Sequence, residues 1–313
     1  MSINKPIYKL RDWISNNNDN YSKLNWNRLS ANGRAIELLK KNKHKICIIN
    51  LINNPNPDAI SLIQENENRI YWDLLSSNPN ALKLLEKNFD KIYWHHLSQN
   101  RNPNAIKLLE KNQDKINWSF LSSNPNAIEL LEKNYDKINW LELSLNKNAI
   151  KILEKNQNKI NWSNLSLNEN AIKLLEENQD KINWINLSKN PNAIKLLEKN
   201  PDKIDWIELS LNKNAIELLE KNFDKINWIN LSKNPNANSL IQMNLDKIYW
   251  FDLSENTAIF ELDYEAMREN ETYLKIYEEL IQEVMKPCRV FKNYNDMNGN
   301  GYRYDYIEEL FGD

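Results

Sequence analysis

The chain has 313 residues, of which 41% are hydrophobic and 10% aromatic, including 11 Trp. A disordered polar chain lacks this much apolar side-chain surface, so the composition predicts a folded protein. The 41 Lys and Arg residues nearly balance the 43 Asp and Glu residues, and the net charge of −2 excludes a general electrostatic attraction to nucleic acid or to an anionic membrane.

The N-terminal residues carry no apolar core of a signal peptide, and no stretch approaches 18 apolar residues. These features predict an intracellular protein without a membrane span. Cys47 and Cys288 lie too far apart for a disulfide framework or a metal-ligand spacing. Leu10, Trp13 and Ile14 follow helical spacing, which predicts an N-terminal cap helix within residues 1–24.

Tryptophan marks a period of 22 residues through residues 25–262. From Trp72 to Trp250 each Trp follows the last by 22 residues, with one step of 24. Trp26 is in phase with this series, and Ile48 takes the Trp position between them. The chain therefore contains eleven repeats, and a period of this size indicates a solenoid whose units bury their apolar faces against their neighbours.

Residues 122–140, "SSNPNAIELLEKNYDKINW", represent the repeat. Asn124 is a good N-cap, and Pro125 suits the first helical position, where its missing N–H costs nothing. Asn134 follows the last apolar residue and is expected to end the helix in the left-handed region. We expect a helix of about nine or ten residues whose apolar face comprises Ala127, Ile128, Leu130 and Leu131.

A second, shorter element carries the Trp. Either Asn139 caps it, with Trp140 as its first residue, or Asp136 caps it and makes it three residues longer. The sequence leaves open whether this element is an α-helix or a 3₁₀-helix. Apolar residues alternate over no more than three positions, which disfavours a β-propeller or a β-helix.

The predicted fold is therefore all-α: an α-solenoid of short two-helix repeats, wound as a right-handed superhelix with helical caps. Eleven units at the usual helix spacing give a rod or superhelix on the order of 100 Å long. An amphipathic run from Tyr264 to Met285, ended by Pro287, predicts a second cap and a tail within residues 263–313.

Three stretches carry a family resemblance: "YKLRDWI", copies of "KINWxxLSxNPNAIxLLEKN", and "YLKIYEELIQEVMKPCRVFK". They resemble the Asn-, Leu- and Trp-rich repeat proteins of giant nucleocytoplasmic DNA viruses. The repeat is also loosely similar to leucine-rich variant repeats, in which α- and 3₁₀-helices alternate. The resemblance implies a viral protein of the host cytoplasm or the virion and implies no active site.

The residues offer no catalytic constellation. The three histidines are His44, His95 and His96, and neighbours on a helix point about 100° apart, which makes a poor metal pair. No phosphate-binding, nucleophile-elbow or zinc-protease motif is present. We therefore expect a non-enzymatic protein with no cofactor and no metal.

Lysine recurs three residues before most Trp residues, and stacking would align these lysines into a stripe. Asp precedes the Lys in most copies, as in Asp136-Lys137, so the stripe carries mixed charge and is typical of a solvated face. Nucleic-acid binding is accordingly the lesser prediction.

Two variable positions in each repeat are the candidate partner surface: the second residue after Trp and the fifth before it. The first residue after Trp is either part of this surface or a packing contact between repeats, in which Ile185, Ile207 and Ile229 would be buried. A constant skeleton with changing flanks is typical of repeat scaffolds that present a binding surface. The candidate residues are Phe89, His96, Phe120, Tyr135, Glu142, Asn164, Asn186, Glu208, Phe223, Asn230 and Leu245.

These observations predict a scaffold for protein–protein interaction, a viral protein that binds a host or viral partner along its variable surface. The alternatives are a nucleic-acid-binding repeat protein and a structural virion component. The identity of the protein partner and the oligomeric state stay open.

Overall fold

The computed structural model describes residues 6–66 and 70–269, and the regular secondary structure in these ranges is helical apart from two short strands. The chain forms two compact units. Tyr8–Glu261 holds all eleven repeats, and Met1–Ile7 with Leu262–Asp313 forms the other. In the second unit Tyr264–Glu269 is helical, as predicted for the start of the C-terminal cap. The rest of that predicted helix, to Met285, and the tail lie outside the described residues.

Each repeat opens with a short α-helix at the Trp position, here called the Trp helix. The sequence left two caps open, and Asn139 is the one used: its Oδ1 accepts a hydrogen bond from the Glu142 N–H at 3.2 Å. Asp136 lies instead in a separate 3₁₀-helix before it. The Trp helices are Trp26–Ala31, Ile48–Ile52, Trp72–Ser77, Trp94–Leu97, Trp118–Ser122, Trp140–Leu143, Trp162–Leu167, Trp184–Lys189, Trp206–Leu209, Trp228–Leu231 and Trp250–Leu253.

A second helix, the Leu helix, follows in repeats 1–10. It is mostly shorter than predicted, because Asn124 Oδ1 accepts a hydrogen bond from the Asn126 N–H at 3.1 Å and holds residues 124–127 in a turn. The Leu helices are Ile36–Lys41, Ala59–Gln64, Leu82–Lys87, Pro103–Glu110, Ile128–Lys133, Ile150–Glu154, Ile172–Glu176, Ile194–Glu198, Ile216–Glu220 and Asn238–Met243.

The prediction that Asn134 ends its helix in the left-handed region is wrong. Its φ is −129°, and its Nδ2 donates instead to the Leu130 carbonyl at 2.9 Å, which satisfies a carbonyl at the end of the helix. A 3₁₀-helix of three residues follows most Leu helices and leads to the next Trp helix. These are Lys43–Lys45, Phe89–Lys91, Gln113–Lys115, Tyr135–Lys137, Gln157–Lys159, Gln179–Lys181, Pro201–Lys203 and Phe223–Lys225.

The core lies between the two layers of helices, where Leu131 and Leu143 have no exposed surface. A Trp at constant phase, with Leu three residues later, predicts a core residue, but the Trp rings are only half-buried at the margin of the core. Each ring is covered on one face by the Lys three residues before the next Trp position, for example Lys137, whose Nζ lies 4.6 Å from the Trp118 ring centroid. A cation over an indole face is attractive by about 0.5–1 kcal/mol at exposed sites, so the lysine stripe helps to join the repeats.

A buried asparagine joins each repeat to the one before it. In repeat 8, Asn190 is 1% exposed, and its Nδ2 donates to the Ser166 and Asn168 carbonyls of repeat 7, both at 3.0 Å. Its Oδ1 accepts from the Asn192 N–H at 3.0 Å. The same residue type stands six positions after every Trp position and is buried in all eleven repeats. We call this set the asparagine ladder: Asn32, Asn54, Asn78, Asn100, Asn124, Asn146, Asn168, Asn190, Asn212, Asn234 and Asn256.

The asparagine ladder continues from the last repeat to the first. Asn32 Nδ2 donates to the Ser254 and Asn256 carbonyls of repeat 11 at 3.4 and 3.1 Å. The later ladder residues donate in the same way to two carbonyls of the preceding repeat, except Asn78, which donates to one. The Asn25 N–H donates to Ser254 Oγ at 2.8 Å, and Lys23 Nζ lies 5.5 Å from the Trp250 ring. The repeats of Tyr8–Glu261 therefore close into a ring. We call the junction of repeats 11 and 1 the seam.

The predicted cap helix of residues 1–24 takes part in this closure. Repeat 11 has no Leu helix of its own after Trp250–Leu253, and Asp12–Ser15 fills that place. Asn20 Nδ2 donates to the Trp13 carbonyl at 2.9 Å, as Asn134 Nδ2 donates to the Leu130 carbonyl in an ordinary repeat. The ring centroids of Trp13 and Trp250 lie 6.2 Å apart. Strand β1 (Tyr8–Leu10) pairs with β2 (Phe260–Leu262) beside it.

The structure confirms an all-α solenoid of regularly spaced short helices in repeating pairs. The predicted open rod is wrong, because the hydrogen bonds from Asn32 to Ser254 and Asn256 bring repeats 1 and 11 together. No boundary falls between residues 24 and 25, since the compact unit begins at Tyr8. Repeat 1 and the helix Asp12–Ser15 together cover the end of the array at repeat 11.

Candidate partner surface

The second residue after the Trp position is half-buried in every repeat. Three of the predicted surface residues here bind the neighbouring repeat: Asn164, Asn186 and Asn230 each donate through Nδ2, at 2.9 Å, to the carbonyl of the first residue after the preceding Trp. These asparagines join consecutive Trp helices, which explains their residue type without a partner.

The other predicted residues at this position are also partly occupied. Glu208 forms an ion pair with Lys189 of the preceding repeat, with 3.1 Å between Oε2 and Nζ. His96 lies beside Tyr93, with ring centroids 6.4 Å apart, and its buried Nδ1 has no hydrogen-bond partner. Phe120 and Glu142 are half-buried. This position is therefore a contact between repeats more than an open surface.

The first residue after the Trp position points outward. The alternative that buried Ile185, Ile207 and Ile229 between repeats is wrong: they are 56%, 55% and 39% exposed, and Phe251 is 51% exposed. The reason is geometric, because this residue lies about 200° around the helix from the fully buried Leu two positions later. We call Ile185, Ile207, Ile229 and Phe251, in the consecutive repeats 8–11, the apolar stripe.

The apolar stripe is continuous and has a neutral border. The Asn230 side chain bonds the backbone carbonyl of Ile207, so the stripe residues of adjacent repeats lie side by side. Ion pairs between neighbouring repeats flank it, since Lys189 meets Glu208 at 3.1 Å and Lys233 meets Asp252 at 3.4 Å. These charges compensate one another, and the Arg28 guanidinium lies over the Phe251 ring, 4.5 Å from its centroid. The three isoleucines are therefore the main apolar side chains that a partner can reach.

The fifth residue before Trp behaves as predicted where it is aromatic. Phe89, Tyr135 and Phe223 are 46%, 41% and 41% exposed. Each also packs edge-on against the Trp of the next Trp helix, with ring centroids 5.4 to 5.5 Å apart. Leu245, at the same position, is half-buried against the core. Phe89, Tyr135 and Phe223 therefore form a second exposed apolar surface, but they belong to repeats that are not adjacent.

Sequence reasoning missed the apolar stripe as a surface because aliphatic residues at constant phase also mark packing. The available signal was their variation: the same position holds Ser119 and Ser163 in other repeats, and a core position would not accept both Ser and Ile. It also missed the asparagine ladder, although Asn stands at that phase even in repeats that lack the following Pro.

Across residues 6–66 and 70–269, no three His, Cys, Asp or Glu side chains are placed to share a metal ion. No helix within these ranges has the length and apolar character needed to cross a bilayer. No protein-family model matches the chain, and no similar curated protein or solved structure is found.

Proposed function

We propose that this protein is a non-enzymatic scaffold for protein–protein interaction, and that the apolar stripe is its main contact with the partner. The observation that carries this proposal is the row of four large apolar side chains exposed in consecutive repeats. In the setting that the family resemblance implies, the partner is a host or viral protein met in the cytoplasm or the virion.

The size and charge of the apolar stripe support a protein partner. Four half-exposed side chains of this size present on the order of 300 Å² of apolar area, within the range in which surface patches are often functional. Burying that area gains on the order of 7 kcal/mol before the costs of association. The bordering charges are paired across repeats, so the surface favours an uncharged apolar face, such as one side of an amphipathic helix, over a phosphate backbone.

The proposal is tested by quantitative capture with the purified full chain. Ile185, Ile207 and Ile229 are replaced together by Ser, which removes the aliphatic surface without adding charge. A control replaces the exposed Glu176, Glu198 and Glu220, which share one position on the Leu helices and lie outside both candidate surfaces, by Gln. Stability should change little in either variant, because surface substitutions usually stay within about 0.5 kcal/mol.

We expect the wild type and the glutamine variant to retain the same bound proteins and the stripe variant to lose them at least tenfold. Capture that is equal in all three chains would refute the role of the apolar stripe. A further variant with Phe89, Tyr135 and Phe223 changed to Ala distinguishes the second apolar surface. If only this variant loses the partner, the interaction occurs there instead.

A further inference from the structure

Arginine is concentrated at the seam. The chain contains eight Arg residues, and lysine is used for most other cationic positions. Three of the eight bridge residues of repeat 1 or the N-terminal segment to repeat 11. Arg28 pairs with Glu255 at 2.9 Å, and the Arg34 guanidinium donates to the Thr257 carbonyl at 3.1 Å. Arg11 pairs with Glu261 at 3.3 Å and donates through Nε to the Ala258 carbonyl at 2.8 Å.

Arg34 stands where the ordinary repeats use asparagine, and the Arg28–Glu255 pair occupies the positions of the Glu208–Lys189 pair with the two charges reversed. At inner junctions an Asn eight residues after Trp donates to the preceding repeat, as Asn148 does to the Pro125 carbonyl at 2.8 Å, and Arg34 occupies that phase in repeat 1. Near-identical repeats cannot distinguish one end face from another. The arginines therefore give the seam the specificity that the chain itself gives at the ten covalent junctions.

The segment that closes the ring is joined to the repeat that follows it by a longer connection than the other repeats have, and this connection includes the helix Asn18–Ser22. We call residues 8–23 the clasp. The hydrogen bond from Asn20 to Trp13 in the clasp is equivalent to the bond from Asn134 to Leu130 in an ordinary repeat, but it spans three more residues of the chain. β1 and β2 are three residues each, and the Arg11–Glu261 pair is partly open to solvent. The clasp thus covers repeat 11 with a short strand pair and one partly exposed ion pair, and it buries the side chains of Leu10 and Ile14.

The two faces joined at the seam are different and complementary, so they form a heterologous contact. A contact of this kind closes within one chain or continues to another, and exchange of an identical element between protomers needs no new interface. We propose that the clasp is exchangeable: the partner that repeat 11 accepts, besides its own N-terminal segment, is the clasp of a second copy of this chain.

A labelled peptide of residues 8–24 tests the acceptor site. It is titrated into the full chain carrying Arg11→Glu, which places a second carboxylate beside Glu261 and weakens the clasp in cis. We expect saturable binding at least tenfold tighter than to the wild type, whose site is occupied. A peptide that itself carries Arg11→Glu and Trp13→Ala is the control and should not bind. Equal affinity for the two chains, or none for either, overturns the proposal.

A charge exchange between two full chains tests the second copy. Arg11→Glu and Glu261→Arg are each mispaired within their own ring, but in a mixture every clasp meets an acceptor of opposite charge. Light scattering should show a species of two chains in the mixture. The chain carrying both substitutions restores the pair in cis and should stay monomeric, which also shows that the substitutions permit folding. A mixture that remains monomeric overturns exchange between copies, even if the peptide binds.

Discussion

Replacing Asn190 by Asp tests the asparagine ladder with almost no change of shape. The substitution keeps the oxygen that accepts from the Asn192 N–H, but it exchanges the amide that donates to two carbonyls of repeat 7 for a second oxygen. The side chain is 1% exposed, so water cannot replace the lost donor. The Asn168 carbonyl keeps a backbone hydrogen bond from the Ala171 N–H after the substitution. The Ser166 carbonyl loses the hydrogen bond that the Asn190 amide donates.

Each buried polar group left unsatisfied costs about 1–3 kcal/mol, and a carboxylate facing carbonyl oxygens costs more than an uncharged group. We expect the free energy of unfolding to fall by about 3 kcal/mol or more at neutral pH. Asn192→Asp is the matched control, because Asn192 makes a similar 2.9 Å bond to the Glu169 carbonyl from an exposed position. Its cost should stay below about 1 kcal/mol.

Urea denaturation followed by circular dichroism measures both variants. The pH supplies a second readout, because burial beside carbonyl oxygens favours the protonated form of the new carboxyl and raises its pKa in the folded state. The stability deficit of Asn190→Asp should therefore grow as the pH rises above the ordinary carboxyl range and shrink as the pH falls into it. Equal deficits for the two variants, or a deficit that does not depend on pH, would refute the role assigned to the asparagine ladder.

Two further predictions concern contacts between repeats. Lys159→Met keeps the aliphatic stem of the side chain but removes the ammonium 4.6 Å from the Trp140 ring. The free energy of unfolding, measured by urea titration, should fall by about 0.5–1 kcal/mol. The same change at the exposed Lys155 is the control and should have no effect. Gly33→Ala would place a Cβ 2.8 Å from the Pro55 Cγ of the next repeat, so its melting should show a loss of about 1–3 kcal/mol from overpacking; an unchanged melting temperature would contradict the packing described at that junction.

The repeat itself could be predicted because its signals are local. The 22-residue phase, the apolar spacing around Leu130 and Leu131 and the cap at Asn139 depend on residues within one unit, and the helices they indicate are present. The length of the Leu helix was overestimated because the Asn124 oxygen has two uses: it can cap a helix directly or hold a turn before it. Only the position of the Asn126 N–H decides between them.

Ring closure could not be read from one repeat, because curvature is a sum over all junctions. The sequence nevertheless contained a signal. "SENTAIFEL" after Trp250 lacks the Leu-Leu helix, and "RDWISNN" before Trp26 lacks a Trp helix, so each end holds the half that the other is missing. Read separately, the halves resemble caps. Read together, they make one complete repeat.

The candidate surface was predicted less well, for a related reason. Variation at the second residue after Trp suggested a partner surface, but Asn164, Asn186 and Asn230 reach the backbone of the preceding repeat. Whether a variable side chain faces a partner or the next repeat depends on the spacing of neighbouring Trp helices, which no single repeat specifies.

Closure also constrains how this sequence can evolve. An open solenoid gains or loses a unit by duplication or deletion at little structural cost, because each unit contacts only its neighbours. Here eleven junctions together complete one turn, about 33° each, and the seam bonds form only if that sum is right. A twelfth unit would require every junction to change by about 3° or would leave Asn32 without Ser254 and Asn256. Closure therefore ties the seam contacts to the number of repeats, whereas substitutions at exposed positions of a repeat leave those contacts intact.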